Sequence, residues 1–66
     1  MIGLTQRERQ AMELLIQGKR DKEIAQSLEI SPRTAQKHVD SACNKLGALT
    51  RSQAAAMYVR NNETPS

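Results

Sequence analysis

Aromatic residues, cysteine and long apolar runs are all scarce in this chain of 66 residues, and each scarcity argues against a class of protein. With one Tyr and no Phe or Trp, the core has to be aliphatic, and a surface that stacks unpaired bases on aromatic rings is disfavoured. The single cysteine, Cys43, excludes an intrachain disulfide and a cysteine-cluster zinc site. No apolar run is long enough for a signal peptide or a membrane span, which predicts a cytoplasmic protein with no membrane partner.

The charge balance is basic. Ten Lys and Arg residues face seven Asp and Glu residues, for a formal net charge of +3 and a pI of about 9.5. A small basic domain suggests an acidic partner, and nucleic acid is the commonest. No nucleophile–base pair or set of metal ligands is evident, so we expect no enzymatic activity, no metal and no cofactor.

Helix signals dominate the first half of the chain, and strand signals are weak throughout. Thr5 and Glu8 have the spacing of a capping box, which predicts a first helix that ends before Gly18. A short second helix is predicted over Lys22–Leu28, with Asp21 as its cap.

The second half predicts two further helices. Ser31 followed by Pro32 is typical of a helix start, and the apolar spacing continues to Leu46, just before Gly47. "TRSQ" repeats the capping-box spacing at the start of a fourth helix that runs through Val59. The sequence therefore predicts an all-α, four-helix domain over residues 1–61 and a flexible tail over residues 62–66.

The third helix has two unlike faces at about 100° per residue. Its apolar side predicts a buried stripe made of Ala35, Val39, Ala42 and Leu46. Its opposite side carries hydrogen-bonding side chains, which are Arg33, Gln36, Lys37, Asp40 and Asn44. Side chains of these types can read base edges in the DNA major groove. For this helix taken alone, a solvated face without a function is the alternative.

The neighbouring segment favours the DNA interpretation. A short helix over Lys22–Leu28, a tight turn over Glu29–Ser31 and a longer helix over Pro32–Leu46 have the arrangement of a helix-turn-helix. In that arrangement Ala25 suits the close approach of the two helices, and Ile30 suits a buried plug in the turn.

From Leu4 to Ala55 the chain resembles the DNA-binding domain of LuxR-type, also called GerE-type, bacterial transcription regulators. The joint order and spacing of the matching pieces are specific, although each piece alone is weak. The pieces are LTxRE at Leu4–Glu8, LL before Gly18, KEIA at Lys22–Ala25, IS at Ile30–Ser31, Thr34, HV at His38–Val39, KLG at Lys45–Gly47 and TR at Thr50–Arg51.

The resemblance implies a sequence-specific double-stranded DNA-binding regulator of the bacterial nucleoid, with the third helix in the major groove. The family's base-reading positions fall on Gln36, Lys37 and Asp40, which the helical wheel also turns outward. Its phosphate-contacting positions fall on Lys22, Ser31, Thr34 and Lys45. His38, on the flank between the two faces, is expected to pack or to contact phosphate. RNA polymerase is a further candidate partner.

The chain departs from the family pattern at three positions. Arg20 stands where Ser or Thr usually caps the second helix, and Ala35 replaces a larger aliphatic residue, which predicts a thinner core there. Asp40 brings a negative charge towards the DNA. It could accept a hydrogen bond from cytosine, but we favour a pairing with Lys37 one turn back.

The fourth helix has more apolar residues than one face can bury. Ala54, Met57 and Tyr58 cluster on one side, whereas Ala55 and Val59 lie well round from them. We expect Ala55 and Val59 to form the contact of a two-fold homodimer, as the resemblance also implies. The alternative is a monomer with a mildly apolar surface.

Two other functions fit parts of the pattern. One is a promoter-reading domain like region four of a sigma factor, and the other is a module that sequesters a larger regulator through its fourth helix. The sequence also leaves open whether the chain is a stand-alone regulator or an excised C-terminal domain.

Overall fold

The computed structural model of the chain describes residues 3–62, and at residue 62 only the backbone. Four helices follow one another and no strand occurs within these residues, so the all-α prediction is confirmed. The helices are α1 (Gln6–Ile16), α2 (Asp21–Leu28), α3 (Pro32–Leu46) and α4 (Arg51–Asn62). Residues 63–66 of the predicted tail lie outside the described residues.

The predicted capping box opens α1. The N–H of Glu8 donates to Thr5 Oγ1 at 3.1 Å, and the N–H of Thr5 donates to Glu8 Oε1 at 2.8 Å. Two backbone groups that a helix start leaves unpaired are thereby satisfied. The helix ends at Ile16, and two residues later Gly18 has a φ of +88°, a left-handed conformation that favours glycine.

The start of α2 differs from the prediction. Asp21 is the first residue of the helix and not its cap, and Arg20 occupies the capping position. The Arg20 N–H donates to Glu23 Oε1 at 2.9 Å. The expectation that Asp21 caps α2 was wrong because its carboxylate is engaged by Arg51, which lies 30 residues further along the chain.

Both predicted ends of α3 are confirmed. Ser31 Oγ accepts the N–H of Thr34 at 3.1 Å, and Pro32 is the first helical residue. Gly47 ends the helix with a φ of +74°.

The start of α4 follows the predicted spacing with one shift. Thr50 Oγ1 accepts the N–H of Gln53 at 3.1 Å, as a capping residue should. The side chain of Gln53, however, accepts the N–H of Leu49 at 2.7 Å and not that of Thr50. The second half of the motif therefore ties down the turn before the helix.

The core consists of two clusters that meet along α3. One joins α1, α2 and α3 and contains Ala11, Ile24, Ala25, Ala35 and Val39. The other joins α1, α3 and α4 and contains Met12, Ala42, Leu46, Ala54 and Tyr58. The predicted stripe on α3 is thus buried in full and divided between them. Tyr58 is the exception to an otherwise aliphatic core, and its hydroxyl donates to Glu13 Oε2 at 2.9 Å.

A buried carboxylate links the start of α1 to the end of α3. Glu8 is 5% exposed, and its Oε1 accepts from Lys45 Nζ at 2.8 Å. Burial by itself raises the pKa of Glu8. The hydrogen bonds from Lys45 and Thr5 together lower the pKa by more than burial raises it, so the pKa of Glu8 lies below the ordinary value. The charged pair holds the two helix ends together.

This pair predicts a pH dependence of stability. Since the pKa of Glu8 is lowered by folding, its contribution is present above the ordinary pKa of a glutamate and is lost as the pH falls through the folded value. Glu8→Gln should lower the free energy of unfolding by about 1–2 kcal/mol at pH 7 and by less at pH 3. Urea denaturation across that range measures the difference. The control is Glu29→Gln, an equal change of charge at an exposed residue, and identical pH profiles for the two variants would contradict the assignment.

Candidate nucleic-acid interface

The side of α3 opposite the core is open along its length. All five side chains that the helical wheel turned outward are exposed, namely Arg33, Gln36, Lys37, Asp40 and Asn44. From Arg33 to Asn44 the helix rises about 16 Å, or three turns. The structure therefore brings these residues together on one continuous polar face, and none of them is needed to fill the core.

Packing and hydrogen bonds fix the conformation of the turn between α2 and α3. Glu29 adopts a left-handed conformation with a φ of +58°, and the next residue, Ile30, packs against the first core cluster as the expected plug. The Ile30 N–H donates to Ala25 O at 3.0 Å. From α1, Arg7 Nη1 donates to Leu28 O at 3.1 Å and satisfies a carbonyl at the end of α2. These contacts set the angle at which α3 leaves α2.

The start of α3 offers donors to an anion. Ser31 Oγ donates to Thr34 Oγ1 at 2.9 Å, so the Thr34 hydroxyl proton can point outward. Pro32 has no N–H, and the N–H of Arg33 has no hydrogen-bond partner within residues 3–62. The positive end of the helix dipole adds to these groups. The geometry suits a phosphate oxygen.

The remaining predicted phosphate contacts have different surroundings. Lys22 is exposed on the first turn of α2, and His38 is half-buried on the flank of α3. Lys45 donates to Glu8 and, at 3.2 Å, to Gly3 O. An ammonium has three N–H groups, so Lys45 keeps one for a further acceptor.

Arg51, the first residue of α4, has a role that sequence reasoning missed. Its Nη1 lies 2.6 Å from Asp21 Oδ1, and its Nη2 lies 3.7 Å from Asp40 Oδ1. The hydrogen bond to Asp21 raises the pKa of Arg51 most, and burial opposes that change. The expected pairing of Asp40 with Lys37 was wrong, because in the described part of the chain Asp40 lies against this guanidinium. The TR motif piece is the one sequence signal that marked Arg51.

The outer side of α4 borders a shallow apolar groove against the end of α1. The residues that line it are Leu15, Ile16, Gly18, Ala55, Ala56, Val59 and Arg60. Ala55 and Val59 are half-buried, and Ile16 is 40% exposed. The predicted dimer residues thus lie together at the surface. No helix within residues 3–62 is long and apolar enough to span a membrane.

Comparison with known proteins gives concordant results. The family model for bacterial regulatory proteins of the luxR family, GerE, matches residues 3–58. The spore germination protein GerE of Bacillus subtilis is 48% identical over 60 residues, which are 91% of this chain and 81% of that protein. The transcriptional activator protein BjaR1 of Bradyrhizobium diazoefficiens is 43% identical over 58 residues, 88% of this chain but 24% of that protein.

The fold has a close counterpart among solved structures. A structure of the transcription factor GerE superposes with a TM-score of 0.83 and 38% sequence identity, covering 91% of this chain and 90% of that one. The similarity therefore includes the arrangement of the helices as well as the motif residues.

Proposed function

Because the chain belongs to the luxR family of bacterial regulatory proteins, as a GerE-type DNA-binding domain, we propose that it recognises specific duplex sequences through the exposed face of α3. The family is one of transcription regulators and not of enzymes. The observation that supports the proposal is the contrast between the two sides of α3, because its buried residues are all apolar and the side chains opposite them are exposed and can form hydrogen bonds.

The exposed face supplies side chains that match base edges in the major groove. Gln pairs with adenine through two bonds, Arg or Lys with guanine, and Asp or Asn with an exocyclic amine. The base-contacting residues of the proposal are Arg33, Gln36, Lys37, Asp40 and Asn44.

Residues around this face contact the sugar-phosphate backbone of the DNA and thereby set the register of α3 in the groove. The phosphate-contacting residues of the proposal are Lys22, Ser31, Thr34, His38 and Lys45. Thr34 has its hydroxyl proton available at the helix start, and Lys22 is an exposed cation on α2. Lys45 contributes one remaining N–H while Glu8 keeps its side chain in place.

Counterion release provides the first test. The logarithm of the binding constant for duplex DNA should fall linearly with the logarithm of salt concentration, because Lys and Arg displace ions from phosphates. Lys22→Ala should weaken binding to every sequence and reduce the slope by about 1. Arg9→Ala removes an equal charge from an exposed position on α1 and serves as the control. A slope near zero for the unchanged protein would contradict DNA binding.

Base discrimination provides the second test. Gln36→Ala and Lys37→Ala should each reduce the preference for a selected duplex over a random one by ~1–3 kcal/mol. Lys22→Ala is the matched control, since it should weaken both duplexes equally. Binding constants on the two duplexes, at one salt concentration, give the ratio. An intact ratio in both α3 variants would mean that another surface reads the bases.

The apolar groove beside α4 supports assembly as a two-fold dimer. One recognition helix covers only a few base pairs, and two helices on half-sites one helical turn apart would read an inverted repeat. The small side chain of Ala55 and the neighbouring Val59 permit close approach of two copies of α4. Such a patch is small, so we propose that dimerisation occurs mainly on DNA.

A charge in this patch tests the dimer. Val59→Arg should abolish occupancy of an inverted repeat by two protomers while leaving the helix content nearly unchanged. Val59→Ala, which keeps the patch apolar, should retain occupancy. Native mass or sedimentation of the protein–DNA complex measures the stoichiometry. If Val59→Arg still fills both half-sites with undiminished cooperativity, the interface lies elsewhere.

Family membership favours this function over a domain like region four of a sigma factor. The remaining alternative, sequestration of a larger regulator through α4 with DNA binding secondary, predicts salt-dependent duplex binding without a preference for a selected duplex. The second test therefore separates the two.

A further inference from the structure

Asp40 sets an electrostatic problem for a DNA-reading helix. Its side chain is 57% exposed on the face that carries Gln36 and Lys37. A carboxylate on that face repels the phosphates on either side of a groove. The free-energy cost of this repulsion depends on the positive charge that the protein places beside Asp40. That charge comes from another helix.

Arg51, the first residue of α4, supplies this positive charge. The guanidinium is anchored by a short hydrogen bond of 2.6 Å to Asp21 on α2, and its other branch lies 3.7 Å from Asp40 on α3. Asp21 and Arg51 are each about one-third exposed, so solvent screens this pair less than it screens Asp40. Three helices therefore contribute to one charge cluster at the edge of the exposed face.

The two distances differ in kind. At 2.6 Å the contact with Asp21 is a charge-assisted hydrogen bond, whereas 3.7 Å is too long for one. Asp40 thus gains a neighbouring positive charge without giving up its lone pairs. A carboxylate in that state can still accept from the exocyclic amine of cytosine or adenine.

We propose that Arg51 is a positioning residue for base recognition, which offsets the charge of Asp40 and holds its carboxylate ready to accept from a base amine. This inference rests on the proposed function. The anchor on Asp21 keeps the guanidinium from turning fully towards Asp40 and using its acceptors.

A double-mutant cycle tests the proposal. Binding is measured on the selected duplex for the unchanged protein, Arg51→Met, Asp40→Asn and the double variant. Arg51→Met should weaken binding at least about threefold when Asp40 is present and have almost no effect when residue 40 is Asn. It should also change the base preferred at the one position that Asp40→Asn affects.

Two other roles for Arg51 predict different results, and either would overturn the proposal. A direct contact with phosphate predicts the same loss in both backgrounds and a salt slope lower by about 1. A purely structural tie also predicts equal losses, accompanied by a matching fall in Tm and no change in base preference. Circular dichroism of each variant gives the Tm values.

Arg51→Lys keeps the proposal testable if Arg51→Met does not fold. Lysine retains the positive charge but lacks the fork that faces two carboxylates at once. We expect a folded protein with changed selection at the Asp40 position and nearly unchanged affinity for random duplex. Unchanged base selection would overturn the proposal.

The outcomes also separate this inference from the proposed function. If the unchanged protein prefers no sequence from a random duplex pool, both fall together. If it does discriminate and the cycle is additive, Arg51 does not act through Asp40, and the proposed function stands without it.

Discussion

The packing of the whole domain depends on α3. The buried stripe of α3 supplies Ala35 and Val39 to one core cluster and Ala42 and Leu46 to the other, so α1, α2 and α4 are all held in place through it. Only four of its fifteen residues are buried. Because the stripe is narrow, the residues on the opposite face of α3 do not pack in the core. Their side chains can therefore be specialised for a partner.

Polar contacts then fix the position of α3 relative to its neighbours. Lys45 at one end is held by the buried carboxylate of Glu8 on α1, and Asp40 lies against Arg51 of α4. The contact with Glu8 adds about 1–2 kcal/mol of stability, whereas the more exposed pair of Asp40 and Arg51 adds little, because solvent screening and side-chain entropy offset its attraction. Both contacts also specify one geometry among the many that small aliphatic residues would tolerate. A recognition helix benefits from such definition, since reading bases requires a fixed register.

Much of the fold could be predicted from local signals. A capping residue and its partner lie three positions apart, as Thr5 and Glu8 do, and a helix period repeats within four residues. Left-handed ends at Gly18 and Gly47 follow from glycine alone. The boundaries of α3, its buried stripe and its exposed face depend on interactions of this range, which is why the sequence located all of them. The exposed residues of the candidate interface can be predicted from the sequence for the same reason.

The interactions that the sequence did not reveal join residues far apart in the chain. Asp is a residue type that often caps helices, yet the carboxylate of Asp21 accepts a hydrogen bond from Arg51, which lies 30 residues further along the chain. Asp40 has a suitable partner one turn away in Lys37, yet a guanidinium from the next helix lies beside it. In each case a local hydrogen bond or ion pair of modest strength competed with one that tertiary packing had already brought within reach. Apart from the start of α2 and the end of α4, the sequence by itself determined where the helices begin and end and which apolar faces they bury, because those preferences act over a few residues. Which charged groups meet was decided only by the packing of α2, α3 and α4, because no pattern within one helix encodes the distance to another.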